Sequence, residues 1–154
     1  MTDVWFYHLE RANLEGILPG LLERTLERGW RALIVAGSAE RAEMIDSFLW
    51  TYRDESFLPH GRTGEMQSPE HPVLIGTELS GQNGANLVFF VDGARPDDWQ
   101  APDVTERDRC IFVFDGNLDA AVAAAREDWS KAKAAGHEVT YWQQSANGKW
   151  EQKA

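Results

Sequence analysis

Apolar stretches alternate with amphipathic stretches along the chain, a pattern typical of an α/β fold with a largely parallel sheet. The apolar stretches are rich in Val, Ile, Leu and Phe and have the length of buried strands. They predict strands over residues 4–9, 31–37, 71–79, 86–93 and 109–116. Residues 137–154 predict an edge hairpin with Asn147-Gly148 at its tip.

The amphipathic stretches predict three helices between these strands. They cover residues 13–29, a run from a Ser38 cap to about Tyr52, and an alanine-rich run from an Asn117 cap to Gly136. Gly16, Pro19 and Gly20 predict that the first half of the first helix is irregular. We therefore expect a single domain over residues 1–154, with a mixed, mostly parallel sheet between helices.

Two connections stand out. Residues 55–65, "ESFLPHGRTGE", place Phe57, Leu58 and Pro59 inside a polar stretch, where Pro59 and two nearby glycines disfavour a long regular element. Such an apolar wedge either fills the core beneath its own loop or contacts another protein. Residues 94–103, "ARPDDWQAPD", are expected to form a surface connection.

The charge balance limits the partners. Fifteen Lys and Arg residues against 25 Asp and Glu residues leave a formal net charge of −10. This excess of negative charge repels a polyanion at long range, so direct binding of DNA through a broad basic face is disfavoured. The single Cys110 predicts neither an intrachain disulfide nor a zinc site. No apolar run has the length of a membrane span and no signal-peptide pattern is present, so we expect a cytoplasmic protein.

The sequence does not match the catalytic and cofactor-binding motifs that are common in α/β proteins. Neither GxGxxG nor GxxxxGK[ST] occurs, and "AGSAE" lacks the second glycine of a nucleophile elbow. The four histidines lie far apart in sequence, without the spacing of a metal motif. Asp92 and Asp115 follow predicted strands, but the glycine after each favours a turn or cap. We expect no cofactor, no metal and no catalytic residue.

The last predicted helix carries the most informative pattern. At about 100° per residue, one arc faces the sheet; it holds Leu118, Ala121, Val122, Ala125, Trp129, Ala132 and Ala135. Arg126 and Lys133 flank Trp129 at the edge of this arc, and neither has an acid three or four residues away. Lys131, by contrast, follows Glu127 and Asp128 at pairing distance. We call Arg126, Trp129 and Lys133 the basic–aromatic strip.

Two interpretations of this strip remain open. In one, Trp129 belongs to the core and the two cations only solubilise its rim. In the other, an apolar side chain of a partner lies on the indole while Arg126 and Lys133 hold a carboxylate or acidic segment.

The segment "SFLWTYRDESFLPHGRTGE" over residues 47–65, with "FYHLE" near the start and "AREDWSKAKAAG" in the last helix, resembles the chi subunits of bacterial DNA polymerase III. The resemblance runs in order over nearly the whole chain. It implies a three-layer, Rossmann-like α/β fold and a non-catalytic adaptor of the clamp loader, with DNA contacted only indirectly. One face of such a subunit takes the acidic tail of single-stranded DNA-binding protein, and another takes the psi subunit.

Carried onto this sequence, the resemblance implies a tail-binding surface of Arg126, Trp129 and Lys133, with Val122 and Lys131 beside them. Ser130 departs from the family pattern, in which a basic residue often follows the aromatic one. The psi-facing positions fall on Trp50 and Phe57, with Leu58 and Pro59 adjoining, although packing of Phe57 under its own loop remains an alternative.

We therefore predict a replication adaptor that acts as a monomer within a larger assembly. The alternative is a nucleotide-binding α/β enzyme that uses the carboxyl ends of the strands. A third hypothesis is direct binding of single strands through aromatics such as Trp129 and Trp142.

Overall fold

The described strands form one eight-stranded sheet. The computed structural model describes residues 2–10, 13–51, 60–62, 72–79, 84–144 and 150–153. The strands are β1 (Asp3–Leu9), β2 (Ala32–Val35), β3 (His60–Arg62), β4 (Val73–Gly76), β5 (Leu87–Phe90), β6 (Arg109–Asp115), β7 (Glu138–Gln144) and β8 (Trp150–Gln152). The helices are α1 (Leu14–Glu27), α2 (Ala39–Thr51), α3 (Pro102–Thr105) and α4 (Asp119–Ala134).

The strand order is β3-β4-β2-β5-β6-β1-β7-β8, and every pair is parallel except β7 with β8. The predicted mixed, mostly parallel sheet is therefore confirmed, as is the antiparallel pairing of β7 with β8 at the edge; the predicted tip at Asn147-Gly148 lies outside the described residues. The short edge strand β3 was not predicted, because its three residues contain a glycine and lie in a connection. In the register of the sheet, Phe6 of β1 pairs with Phe112 of β6 on one side and with Tyr141 of β7 on the other.

Local capping fixes where two of the long helices begin. The side chain of Asn13 accepts a hydrogen bond from the Gly16 amide at 2.8 Å, and Ser38 Oγ accepts one from the Arg41 amide at 3.2 Å. The expected irregularity of α1 is wrong, because the helix runs through Pro19 without a break. Its buried leucines stabilise it against the roughly 3 kcal/mol that an internal proline costs.

The predicted Asn117 cap of α4 is also wrong. A turn comes first, in which the Asn117 amide donates to Asp115 Oδ1 at 2.9 Å. The Asn117 side chain donates to the Glu10 carbonyl at 3.0 Å, and the helix begins after Leu118, without a side-chain cap. The Asn117 side chain therefore contacts the residue after β1 and does not cap the helix.

Alternating residues of the strands build two hydrophobic layers, so the three-layer Rossmann-like fold is confirmed. Tyr7 and Ile111 face the layer covered by α1 and α2, whereas Phe6 and Phe112 face the layer covered by α4. None of the described helices is long and apolar enough to cross a membrane.

The connection over residues 94–103 is not confined to the surface, which corrects the prediction. The Trp99 side chain is 4% exposed and lies 6.5 Å from Phe6 and 6.2 Å from Phe90, measured between ring centroids. His137 Nε2 lies 2.6 Å from the Trp99 carbonyl oxygen. The tryptophan fills space on the sheet beside α4, a role that local polarity conceals.

Candidate functional site

The indole of Trp129 is half-buried, and two other rings hold it in place. Its centroid lies 5.6 Å from that of Phe6 and 5.8 Å from that of Tyr141, both in edge-on geometry. Such contacts fix a ring more firmly than burial alone. The part of the indole that remains exposed is therefore a preorganised surface on α4.

The two cations of the basic–aromatic strip are exposed. Lys133 Nζ lies 5.7 Å from the centroid of the Trp129 ring, within cation–π range. Among the described residues, neither Arg126 nor Lys133 has a carboxylate within 4 Å. Their charges are thus available to an anion from outside the fold.

Tyr141 is a neighbour of the strip that the sequence did not assign. Burial raises the pKa of Tyr141, and the positive charge of Arg126 opposes that rise. The Tyr141 hydroxyl lies 2.5 Å from His8 Nδ1, and His8 Nε2 lies 3.2 Å from a Glu10 carboxylate oxygen. Alternation along β7 puts Tyr141 on the α4 side of the sheet, but only the pairing of β7 with β1 brings it to Trp129.

The amino-terminal end of α4 extends this surface with apolar side chains. Val122 is partly buried against the sheet. Leu118 is 57% exposed, so the expectation that it packs on the sheet is wrong. It precedes the first helical turn, where the helical projection that placed it on the packing arc does not apply.

Lys131 lies elsewhere on the helix. Its Nζ is 3.4 Å from Glu127 Oε1, an ordinary intrahelical pair. Since it follows Trp129 by two residues, it projects about 200° around the helix from the indole. The structure therefore separates Lys131 from the basic–aromatic strip.

Asp128 does not share the ion pair of Lys131 with Glu127. Its side chain is 1% exposed, and one carboxylate oxygen lies 3.6 Å from Arg95 Nη1. Burial raises the pKa of Asp128, while the charge of Arg95 and the indole N–H of Trp99 oppose the rise. The residue secures α4 to the connection that carries Trp99.

A cleft of roughly 680 Å³ lies at the carboxyl ends of β1 and β6, where open α/β sheets commonly bind ligands. Its polar rim includes four carboxylates, those of Glu10, Glu15, Asp92 and Asp115. Arg41 is engaged there by Asp92 at 2.9 Å and by Glu15 at 3.3 Å. This excess of acids disfavours a phosphate.

The turn role expected of the two aspartates is confirmed. Asp115 accepts the Asn117 amide, and Asp92 has a positive φ of 54° before Gly93, whose φ is 87°. Among the described residues, no three His, Cys, Asp or Glu side chains gather as a metal site would require. The four positions predicted to face psi lie outside what is described: the side chain of Trp50, and Phe57, Leu58 and Pro59 entirely.

Fold and site together define a class of protein: a Rossmann-like α/β domain with a basic and aromatic surface on its last helix. Over residues 1–140 the chain matches the family described as DNA polymerase III chi subunit, HolC. The chain therefore belongs to the family of chi subunits of DNA polymerase III, and the resemblance carried by the sequence motifs is confirmed.

Two curated relatives carry the same description. The chain is 26% identical over 91 residues to a probable DNA polymerase III subunit chi of Rickettsia prowazekii, and 33% identical over 94 residues to the DNA polymerase III subunit chi of Pseudomonas aeruginosa. The matched segments cover 59% and 58% of this chain, and 55% and 63% of the two relatives. The chain thus spans less than two thirds of either relative.

Proposed function

We propose that this protein is a non-catalytic accessory subunit of the DNA polymerase III holoenzyme, which links the clamp loader to protein-coated single strands in the cytoplasm. In this proposal the basic–aromatic strip binds the acidic, carboxylate-terminated tail of single-stranded DNA-binding protein. One observation carries the proposal: Arg126 and Lys133 are exposed and unpaired among the described residues, on either side of an indole held by Phe6 and Tyr141.

The chemistry of the strip suits such a tail. The two cations offer charge-assisted hydrogen bonds to carboxylates, and the exposed part of Trp129 offers an apolar contact to a side chain between them. The net charge of −10 repels anions that do not reach this strip. A single weak contact is sufficient, because linkage within an assembly raises the effective concentration of each partner.

The test is a binding titration in which fluorescence anisotropy reports on a labelled acidic peptide. The peptide has an apolar last residue and a free C-terminal carboxylate. We expect a dissociation constant in the micromolar range that weakens with added salt. Arg126→Ala should cost roughly 1–3 kcal/mol of binding free energy. A peptide that binds wild type and Arg126→Ala equally well would exclude Arg126 as an anchor.

We further propose that Trp50, Phe57, Leu58 and Pro59 form the surface toward psi, or toward an equivalent partner where psi is missing. The support is the apolar wedge in a polar connection, together with the family assignment. Co-purification with the clamp-loader subunits tests it. Phe57→Ala should abolish co-purification while leaving peptide binding intact, whereas unchanged co-purification would assign Phe57 to packing.

A nucleotide-binding enzyme remains the alternative, and the cleft at the carboxyl ends of β1 and β6 is the observation in its favour. A thermal-shift assay with ATP, GTP and NAD distinguishes the two proposals. An enzyme that uses this cleft requires the melting temperature to rise with ligand concentration and the rise to shrink in Arg41→Gln, whereas the adaptor requires no shift that depends on the cleft.

A further inference from the structure

Three arginines converge on a groove that the proposed adaptor function does not use. The groove has a volume of roughly 440 Å³ and lies between α1 and the amino-terminal ends of β1, β5 and β6. Arg24 lines it from α1 and Arg28 from the C-cap of that helix, one turn later, and Arg109 lines it from β6. Trp5 and Tyr7 contribute aromatic walls. We call it the arginine groove; it opens on the sheet face opposite the basic–aromatic strip.

Aromatic rings hold two of the guanidinium groups in place. The Arg109 guanidinium carbon lies 3.8 Å from the centroid of Trp5 and 5.4 Å from that of Trp30. The corresponding carbon of Arg28 lies 4.8 Å from the Trp30 centroid. Guanidinium faces that stack on indoles keep their N–H edges free to donate. The donors are therefore positioned before any ligand arrives.

The groove carries unbalanced positive charge in an otherwise acidic protein. Within the described ranges, Arg24, Arg28 and Arg109 have no carboxylate within 4 Å. Among the described residues, the ionic side chains that line the groove are these three arginines and Glu27, a formal charge of +2. Burial lowers the pKa of Arg109, as does the nearby charge of Arg28, while the charges of Asp3 and Asp108 outside the groove oppose this. The Nε atom of Arg109 is buried without a hydrogen-bond partner in the described structure.

Further tryptophans continue from the groove toward the edge of the sheet. Trp142 of β7 lies 5.7 Å from Trp5 and 6.3 Å from Tyr7, and Trp150 of β8 lies 5.0 Å from Tyr7, all between ring centroids. Both indoles are only partly buried. Cations beside a row of aromatic rings are the combination that binds the phosphates and bases of single strands.

We propose that the arginine groove binds the phosphate group of a nucleotide or of a single-stranded oligonucleotide, with a base packed on the tryptophans beside it. The formal charge of +2 matches the phosphate monoester of a nucleotide, or two successive phosphodiesters of a strand, better than the single charge of a carboxylate, and three guanidiniums offer more donors than one carboxylate accepts. The net charge of −10 repels nucleic acid at long range, so binding depends on this local site and falls steeply with salt.

The experiment is the anisotropy of a fluorescein-labelled oligothymidylate of about 15 nucleotides, titrated with the full chain at low ionic strength. The double variant Arg24→Gln/Arg28→Gln should weaken binding about tenfold or more, since it removes two exposed cations and leaves the core intact. Arg126→Gln is the matched control. It removes a cation from the basic–aromatic strip, so it should weaken binding of the acidic peptide but not binding of the oligonucleotide.

Competition identifies the source of the phosphate. Displacement by dAMP at concentrations where inorganic phosphate is inactive supports a nucleotide site, and displacement only by unlabelled oligonucleotide supports a strand site. The proposal is overturned if the oligonucleotide does not bind, or if the Arg24/Arg28 double variant binds it as tightly as wild type does. It is also overturned if the acidic peptide displaces the oligonucleotide from the groove. The first two outcomes leave the binding of the tail peptide to Arg126 untouched, and the loss of peptide binding in Arg126→Gln tests that proposal by itself, so the two proposals fail separately.

Discussion

The ammonium of Lys133 lies 5.7 Å from the centroid of the Trp129 ring, one helical turn away along α4. Lys131, two residues earlier, is instead paired with Glu127 at 3.4 Å. The helix thus carries two exposed lysines of the same length and charge, one beside the indole and one already paired. This contrast allows the role of the strip to be separated from the charge of the protein.

We expect Lys133→Gln to weaken binding of the acidic tail peptide by about 1 kcal/mol, roughly fivefold. Lys131→Gln changes the net charge equally, but it should leave the dissociation constant within about twofold, because it removes only an intrahelical pair. Anisotropy titrations of both variants at one salt concentration make the comparison. Equal losses for the two variants would show that only overall charge matters.

Asp128 predicts a pH dependence of stability. Because its folded pKa is raised by burial, the folded protein binds more protons than the unfolded chain between the unfolded value, about 3.9, and the raised value. The contribution of Asp128 to the free energy of unfolding therefore falls as the pH rises through that interval, and it is constant above it.

Asp128→Asn removes this titration, so the stability of the variant relative to wild type should increase as the pH rises from about 4 toward neutrality. Urea denaturation at a series of pH values measures the difference. Asp97→Asn, at an exposed position of the same connection that holds Arg95, is the control for the loss of one carboxylate at the surface. A flat profile for Asp128→Asn would contradict the assigned direction.

Gly37 closes a contact that admits no side chain. A Cβ atom at this position would collide with the carbonyl oxygen of Asp92. Gly37→Ala should therefore cost about 2 kcal/mol of stability or more, since backbone must move. Gly20→Ala is the matched substitution inside α1, where a Cβ meets nothing within 4 Å, and it should stabilise by up to about 1 kcal/mol. Opposite shifts in the midpoint of urea denaturation are the expected result, and a loss of stability in both variants would count against it.

Cys110 should be inert in the native protein. Burial raises the pKa of its thiol to about 12, and the charge of Arg107 opposes the rise only in part. Reaction requires the thiolate, so labelling at pH 8 should be at least about a hundredfold slower than in denaturing urea. The rate of reaction with a chromogenic disulfide measures this, and rapid labelling without denaturant would show that β6 opens readily.

The sequence alone determined most of the fold because its signals are local. Alternating apolar runs predicted the buried strands, and Ser38 predicted the start of α2. The grouping of Arg126, Trp129 and Lys133 also follows from the sequence, since residues three and four apart on a helix are neighbours whatever surrounds them. The family could be inferred from the sequence because the motifs that carry the resemblance are short and contiguous.

Other features depended on residues distant in sequence. Trp99 lies in a polar connection, yet it is buried because the sheet beside α4 leaves room for it. Asn117 does not cap α4: its side-chain NH2 donates to the Glu10 carbonyl in a turn, and the helix begins after Leu118. In each case a contact between distant segments replaced the arrangement that local chemistry favours.

The arginine groove combines features that the sequence shows with features that only the tertiary structure decides. The sequence supplies Trp5, Arg28 and Arg109 and shows that the protein as a whole is acidic, but it does not show that these three residues lie together. Only the parallel pairing of β1 with β6 and the packing of α1 over them brought these residues to the lining of one groove. Hydrophobic burial decides that packing, and burial depends on the whole chain, so charges far apart in sequence become a site only when the core forms.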